Sequence, residues 1–373
     1  MASLDWITVA GFKSIKRIER LALEPINVVI GSNGSGKSNL IGVFSFLREI
    51  RCGRLQEYVI RSGGADRILH FGSRTTPDLK MHVSFGSEVN QYGIRLTSAS
   101  GDGLSPLEES VYFWDKKRYD RPYQDPLLAH TAGEAGISRP ATSSIAGYVR
   151  KRLDSWRVYH FHDTSSTSPI KRTADVDDNR FLRHDGANLP AFLYFLRHRH
   201  EDSYDLIRRT VRLVAPFFDD FRLRPQALNE DKIRLEWRHL GSDAYFDASS
   251  LSDGTLRFIV LATLLLQPAS LRPSVILLDE PELGLHPYAI TMLAALVKQA
   301  SVDTQVVFAT QSTLVLDHFR PEDVLVADRV DGGTQLTRLD GATLEQWLQE
   351  YSLGQLWEKN HFGGRPGREG RLT

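Results

Sequence analysis

Residues Gly31 to Ser38 read Gly-Ser-Asn-Gly-Ser-Gly-Lys-Ser and fit G-x-x-x-x-G-K-[ST] without a mismatch. That pattern suits the grip of a polyphosphate. Many inward-pointing donors are needed, and backbone N–H groups at a helix N-terminus supply them. Side chains would block the approach, so Gly31, Gly34 and Gly36 alternate with the small residues Ser32, Asn33 and Ser35. Lys37 adds a compact positive charge for the β- and γ-phosphates. The Ser38 hydroxyl can complete a Mg²⁺ shell. The competing account is a plain Gly-rich strand-to-helix turn.

A second group of chemical residues closes the run Val275-Ile276-Leu277-Leu278, which ends in Asp279 and Glu280. The run suits a parallel strand covered on both faces, and ligands bind at the C-terminal ends of such strands. Asp279 can hold Mg²⁺ directly or through water. Glu280 is the candidate general base, polarising the attacking water. Alternatively, the two acids only end a strand and cap a turn before Pro281. Between the two groups lies Ser249-Ser250-Leu251-Ser252-Asp253-Gly254-Thr255-Leu256-Arg257, opening a long apolar helix. Taken alone, its Ser and Asp are N-cap candidates.

The elements that must hold these residues are legible in outline. Trp6 to Ala10 and Ile26 to Ile30 read as strands, and the apolar residues from Leu40 to Leu47 have helical spacing. Leu79 to Trp114 reads as antiparallel strands, and Lys116 to Ser144 as a long polar loop. A helix is expected over SIAGYVRKRLDSW and a strand over RVYHFH. Thr164 to Asn188 reads as a flexible excursion, Leu189 to Val214 as helical and DKIRLEWRHL as a strand. The last third alternates helix and strand. The chain has 373 residues, enough for two or three domains. Lys plus Arg and Asp plus Glu are both 46, which disfavours a surface that coats nucleic acid throughout. A single cysteine, Cys52, excludes an internal disulfide. With no bilayer-length apolar run and no signal-peptide pattern, a soluble cytoplasmic protein without a membrane partner is expected.

The order phosphate loop, LSDGT, then a strand ending in Asp-Glu resembles the ATP-binding-cassette ATPases. GFKS at Gly11 to Ser14, followed by GSNGSGKSN, is similar to the opening of SMC and RecF heads. VILLDEPELGLHP resembles a Walker B strand running into a D-loop. Within that branch the chain resembles the stand-alone ATPases grouped with OLD-type nucleases. The resemblance implies an α/β P-loop fold, the ATPase head, with a mixed or parallel core sheet, an antiparallel arm sheet and a helical subdomain. The expected division places the N-terminal part of the lobe with Walker A at 1–78 and the arm sheet with a variable insertion at 79–160. A helical lid follows at 161–248. The C-terminal lobe is expected at 249–345 and an extension with a flexible tail at 346–373.

The resemblance also implies roles. ATP and Mg²⁺ are the expected ligands, with Asn39 and Lys13 added to the loop residues that approach the nucleotide. Lys13 on a solvated hairpin is the competing account. Ser252 and the N–H groups near Gly254 would close over the γ-phosphate held by a second copy. Two copies would then sandwich two ATP molecules head to tail, as a homodimer that can extend to higher homo-oligomers. Gln311 stands where these ATPases carry histidine; it can donate to the γ-phosphate but has no titratable proton near neutral pH. The Mg²⁺-linking glutamine falls at Asp163 or His162, with Gln56 too early. His286 would face the subunit junction or cap a helix before Pro287. His160 and His162 as a metal pair, and Arg365, Arg368 and Arg371 as phosphate contacts, are weaker than structural or solvated roles. The expected activity is an ATPase switch acting on DNA or on a separate nuclease or toxin effector, in genome defence or DNA repair. The alternatives are an ATP-binding scaffold with negligible turnover and the nucleotide-binding subunit of a transporter.

Overall fold

A computed structural model describes residues 3–127, 133–141, 143–161, 163–165 and 167–364. His162 and the three tail arginines lie outside these residues. The central sheet has the order Gly333–Arg338, Val324–Val330, Ile26–Ile30, Gln305–Thr310, Val275–Asp279, Trp156–Tyr159. Its strands are parallel except Gly333–Arg338, which returns antiparallel. The C-terminal ends of five strands therefore share one edge.

Alternation across this sheet builds two cores. Val28, Ile30, Ile276, Leu278, Val306 and Phe308 face one, while Val29, Leu277, Val307 and Ala309 face the other. Because both faces are covered, the strands are apolar without polar interruption. Full burial of each such side chain contributes about 1.5–3 kcal/mol. The first core is closed by the helices Leu189–Arg199, Glu201–Val214, Asp253–Leu266 and Pro287–Ala300. Asp253–Leu266 is buried on all sides from Leu256 onward, which is why its sequence carries no polar face. The second core is closed by the helix Lys37–Arg51 and by a six-stranded antiparallel sheet.

That antiparallel sheet has the order Ile15–Ala22, Leu4–Phe12, Asp78–Phe85, Asn90–Ala99, Gly103–Phe113, Tyr123–Pro126. Its first two strands come from the segment assigned above to the ATPase lobe, while Trp156–Tyr159 belongs to the central sheet. The sheets thus interleave across the boundaries drawn at 78/79 and 160/161. Three local readings differ from the structure. The region 189–214 is two helices broken at His200, and DKIRLEWRHL divides between Asn229–Ile233 and Glu236–His239 in two small sheets. The polar region 164–188 is built in, because its side chains bond its own backbone. Asn188 is buried, its Oδ1 accepts from the Arg183 N–H, and its Nδ2 donates to the Asp178 and Phe181 carbonyls at 2.8 Å each.

Candidate functional site

The loop 31–36 follows the buried strand Ile26–Ile30 and opens the helix Lys37–Arg51. Gly36 is the N-cap residue at φ 102°, a left-handed conformation that a side chain would strain. A Cβ there would also overlap the Thr334 hydroxyl. This helix has no side-chain cap and no acid in its first turn. By contrast, Ser143, Ser252, His286, Ser312, Asp340 and Ser352 each cap a helix with a side-chain oxygen or nitrogen. An uncapped positive helix end beside a glycine turn is an anion cradle.

The loop is braced from outside. Thr334 Oγ1 donates to the Ser35 carbonyl at 2.8 Å and lies 2.7 Å from Ser14 Oγ. Asn39 Nδ2 donates to Ser14 Oγ at 2.6 Å. On the other flank the Ser32 N–H donates to the Gly364 carbonyl at 2.7 Å. Ser35 is 2% exposed and its hydroxyl has no partner among the described residues. Lys37 Nζ donates to the Gly31 and Ser32 carbonyls at 2.7 and 2.9 Å, so the ammonium lies over the loop. Burial lowers its pKa, and Glu280, Asp279 and Glu282 oppose that shift. Lys13 Nζ is 5.4 Å from the Phe12 ring centroid, beside Gly42 on the first helix, and burial lowers its pKa too.

Neighbouring strand ends bring the acids to this loop. Ser38 Oγ donates to Asp279 Oδ1 at 3.4 Å, although 241 residues separate them. One hydroxyl and one carboxylate oxygen side by side form the oxygen set that Mg²⁺ takes. With the uncapped helix end, they fit a Mg²⁺-nucleotide. Glu280 has φ 41°, an uncommon value for a non-glycine residue. Its N–H donates to the Ala309 carbonyl at 2.9 Å, and its Oε1 accepts from Gln311 Nε2. The backbone is held in that strained form from the strand next door, and strain of this kind clusters at functional sites. A recess of about 10 Å³, room for one water, lies behind Asp279 and Glu280 against Arg257 and Phe161.

Several expected residues sit elsewhere or do other work. Gln56 belongs to the arm region, where its Nε2 donates to the Leu104 and Gly133 carbonyls. His286 caps Pro287–Ala300, its Nδ1 accepting from the Tyr288 N–H at 3.3 Å. Ser252 caps Asp253–Leu266 by accepting from the Thr255 N–H at 3.2 Å, and it remains exposed. Gly254 lies against the Gly284 carbonyl, so the LSDGT turn and the loop after Asp279 pack together within one chain. Asp163 Oδ1 accepts from the Ser165 N–H at 3.0 Å. Sequence reading missed Thr334 and Gly364, whose types and positions carry no local signal. It also passed over Glu282 in DEPEL, whose Oε1 accepts from the Thr310 hydroxyl.

A family model described as "AAA domain, putative AbiEii toxin, Type IV TA system" matches residues 26–317. Urease accessory protein 2 of Cryptococcus neoformans var. grubii is 24% identical over 244 residues, 57% of this chain and 20% of that protein. Chromosome segregation protein sudA of Emericella nidulans is 24% identical over 257 residues, 60% of this chain and 20% of that protein. The chain thus spans about a fifth of the length of the curated relatives it matches. Among solved structures, an SMC head bound to the C-winged helix domain of ScpA superposes with a TM-score of 0.61 at 15% identity. That match covers 93% of this chain and 99% of the other. An SMC head with an extended coiled coil, bound to the C-terminal domain of ScpA and derived from Pyrococcus furiosus, gives 0.57 at 14% identity over 94% and 99%.

Proposed function

The chain belongs to this AAA-domain family, with an ABC-type head of the SMC/RecF-like branch, and from that premise we propose that it binds and hydrolyses ATP with Mg²⁺. The carrying observation is the convergence of Lys37, Ser38, Asp279, Glu280 and Gln311 at one sheet edge. Phosphoryl transfer needs positioning and charge stabilisation more than covalent help. The open N–H groups of the first helical turn and the Lys37 ammonium hold the phosphates. A magnesium ion held by Ser38 and Asp279 would neutralise charge on the phosphate oxygens. Glu280 orients and polarises the attacking water, and Gln311 fixes the Glu280 carboxylate through its amide.

The reading extends to assembly. The exposed Ser252 end of its helix closes over the triphosphate of a second copy, giving a head-to-tail homodimer. ATP then controls association, and the closed form acts on DNA or on a separate nuclease or toxin effector, in defence or repair. Turnover per subunit should rise with protein concentration through the association range, so total activity rises more than linearly. A rate per subunit that stays constant across that range with ATP bound removes the dimer from the mechanism. A second reading, an ATP-binding scaffold with negligible turnover, draws on the Gln311–Glu280 bond, which occupies an oxygen of the candidate base. Wild-type turnover equal to that of Glu280→Gln would select it.

A further inference from the structure

Phe71 is 62% exposed and has φ 56°. A lone exposed phenylalanine is ordinary. A bulky residue in the left-handed region is a conformational outlier, and such strain persists only where the surroundings impose it. Here they do. The His70 N–H donates to the Gly11 carbonyl at 3.0 Å, and the buried His70 ring places Nδ1 2.7 Å from the Lys13 carbonyl. The His70 and Phe71 ring centroids are 4.3 Å apart, and the Phe71 ring edge lies against Gly332. The ring is therefore held out to solvent by a backbone pinned on both sides.

Its location follows from the sheet order. The strand before the phosphate loop, Ile26–Ile30, has Gln305–Thr310 on one side, leading to Asp279 and Glu280. On its other side are Val324–Val330 and Gly333–Arg338, joined by the turn at Asp331 and Gly332. A triphosphate whose terminal phosphate faces the acids must trail its nucleoside toward that turn. Thr334, two residues past Gly332, bonds the Ser35 carbonyl, and two strand residues span roughly 7 Å. Phe71 thus stands beyond the loop by about the length of a ribose and one phosphate.

Resting on the nucleotide-site reading above, we infer that the face of Phe71 stacks on the base of the bound nucleoside triphosphate. An aromatic face accepts any base, so Phe71 adds affinity without choosing between adenine and guanine. The test is calorimetric titration of the whole chain with Mg-ATP and, separately, with Mg-tripolyphosphate, which has no base. Phe71→Ala should weaken ATP about five- to a hundred-fold and leave tripolyphosphate unchanged, while Phe71→Tyr retains ATP affinity. An alanine variant that binds ATP like wild type, or loses ATP and tripolyphosphate alike, overturns the stacking role while the phosphate site stands. A wild-type chain that binds neither probe removes the site reading and the stacking role together.

Discussion

Glu282 shows how a residue next to the catalytic acids acquires a different character. It is buried, Oε1 takes the Thr310 hydroxyl, and Oε2 has no partner among the described residues. Burial pushes its carboxyl above the ordinary range, with the Thr310 hydrogen bond opposing. A raised folded pKa means the native state keeps a proton that the unfolded chain has released. The group therefore favours folding below the unfolded pKa, about 4.3, and that contribution is lost as pH rises through the folded value. Glu282→Gln cannot ionise, so its Tm relative to wild type should be more positive at about pH 8 than at about pH 5. Calorimetry at the two pH values checks this, and a difference that is flat or falls with pH contradicts it. The acid was visible in DEPEL, but its burial depends on a strand end 28 residues away.

At the scale of elements, legibility followed locality. The strand, phosphate loop and first helix are contiguous, and each is specified by its own apolar period and glycines. The strand Ile15–Ala22 escaped notice because Lys16, Arg17, Glu19 and Arg20 fill its solvent side at a sheet edge, where charge is favoured. Thr334 and Gly364 escaped for another reason: they reach the loop only through long-range pairing. Gly254 joins two elements that are both legible, though their contact is not. A Cβ there would overlap the Gly284 carbonyl, and backbone cannot yield as a side chain does. Gly254→Ala should therefore cost about 1–3 kcal/mol in urea unfolding with an unchanged m-value. Wild-type stability in that variant would show that the close approach is absent.

For the whole molecule, the LSDGT helix and the acids pack together through the loop after Asp279, while the Ser252 end stays open to solvent. A single copy thus presents two surfaces, a triphosphate cradle and a capped helix start that can close a second cradle. The balance of 46 basic and 46 acidic side chains argues against assembly by bulk charge and leaves bound ATP as the joining element. A ligand can drive such closure only by its preference for the closed state, which slow hydrolysis should reveal. The decisive measurement is the mass of Glu280→Gln in solution, by light scattering, with and without Mg-ATP. The account predicts a monomer without nucleotide, a dimer at saturating ATP, and a monomer again when Ser252→Arg is added. A Glu280→Gln chain that stays monomeric with ATP fully bound would contradict it.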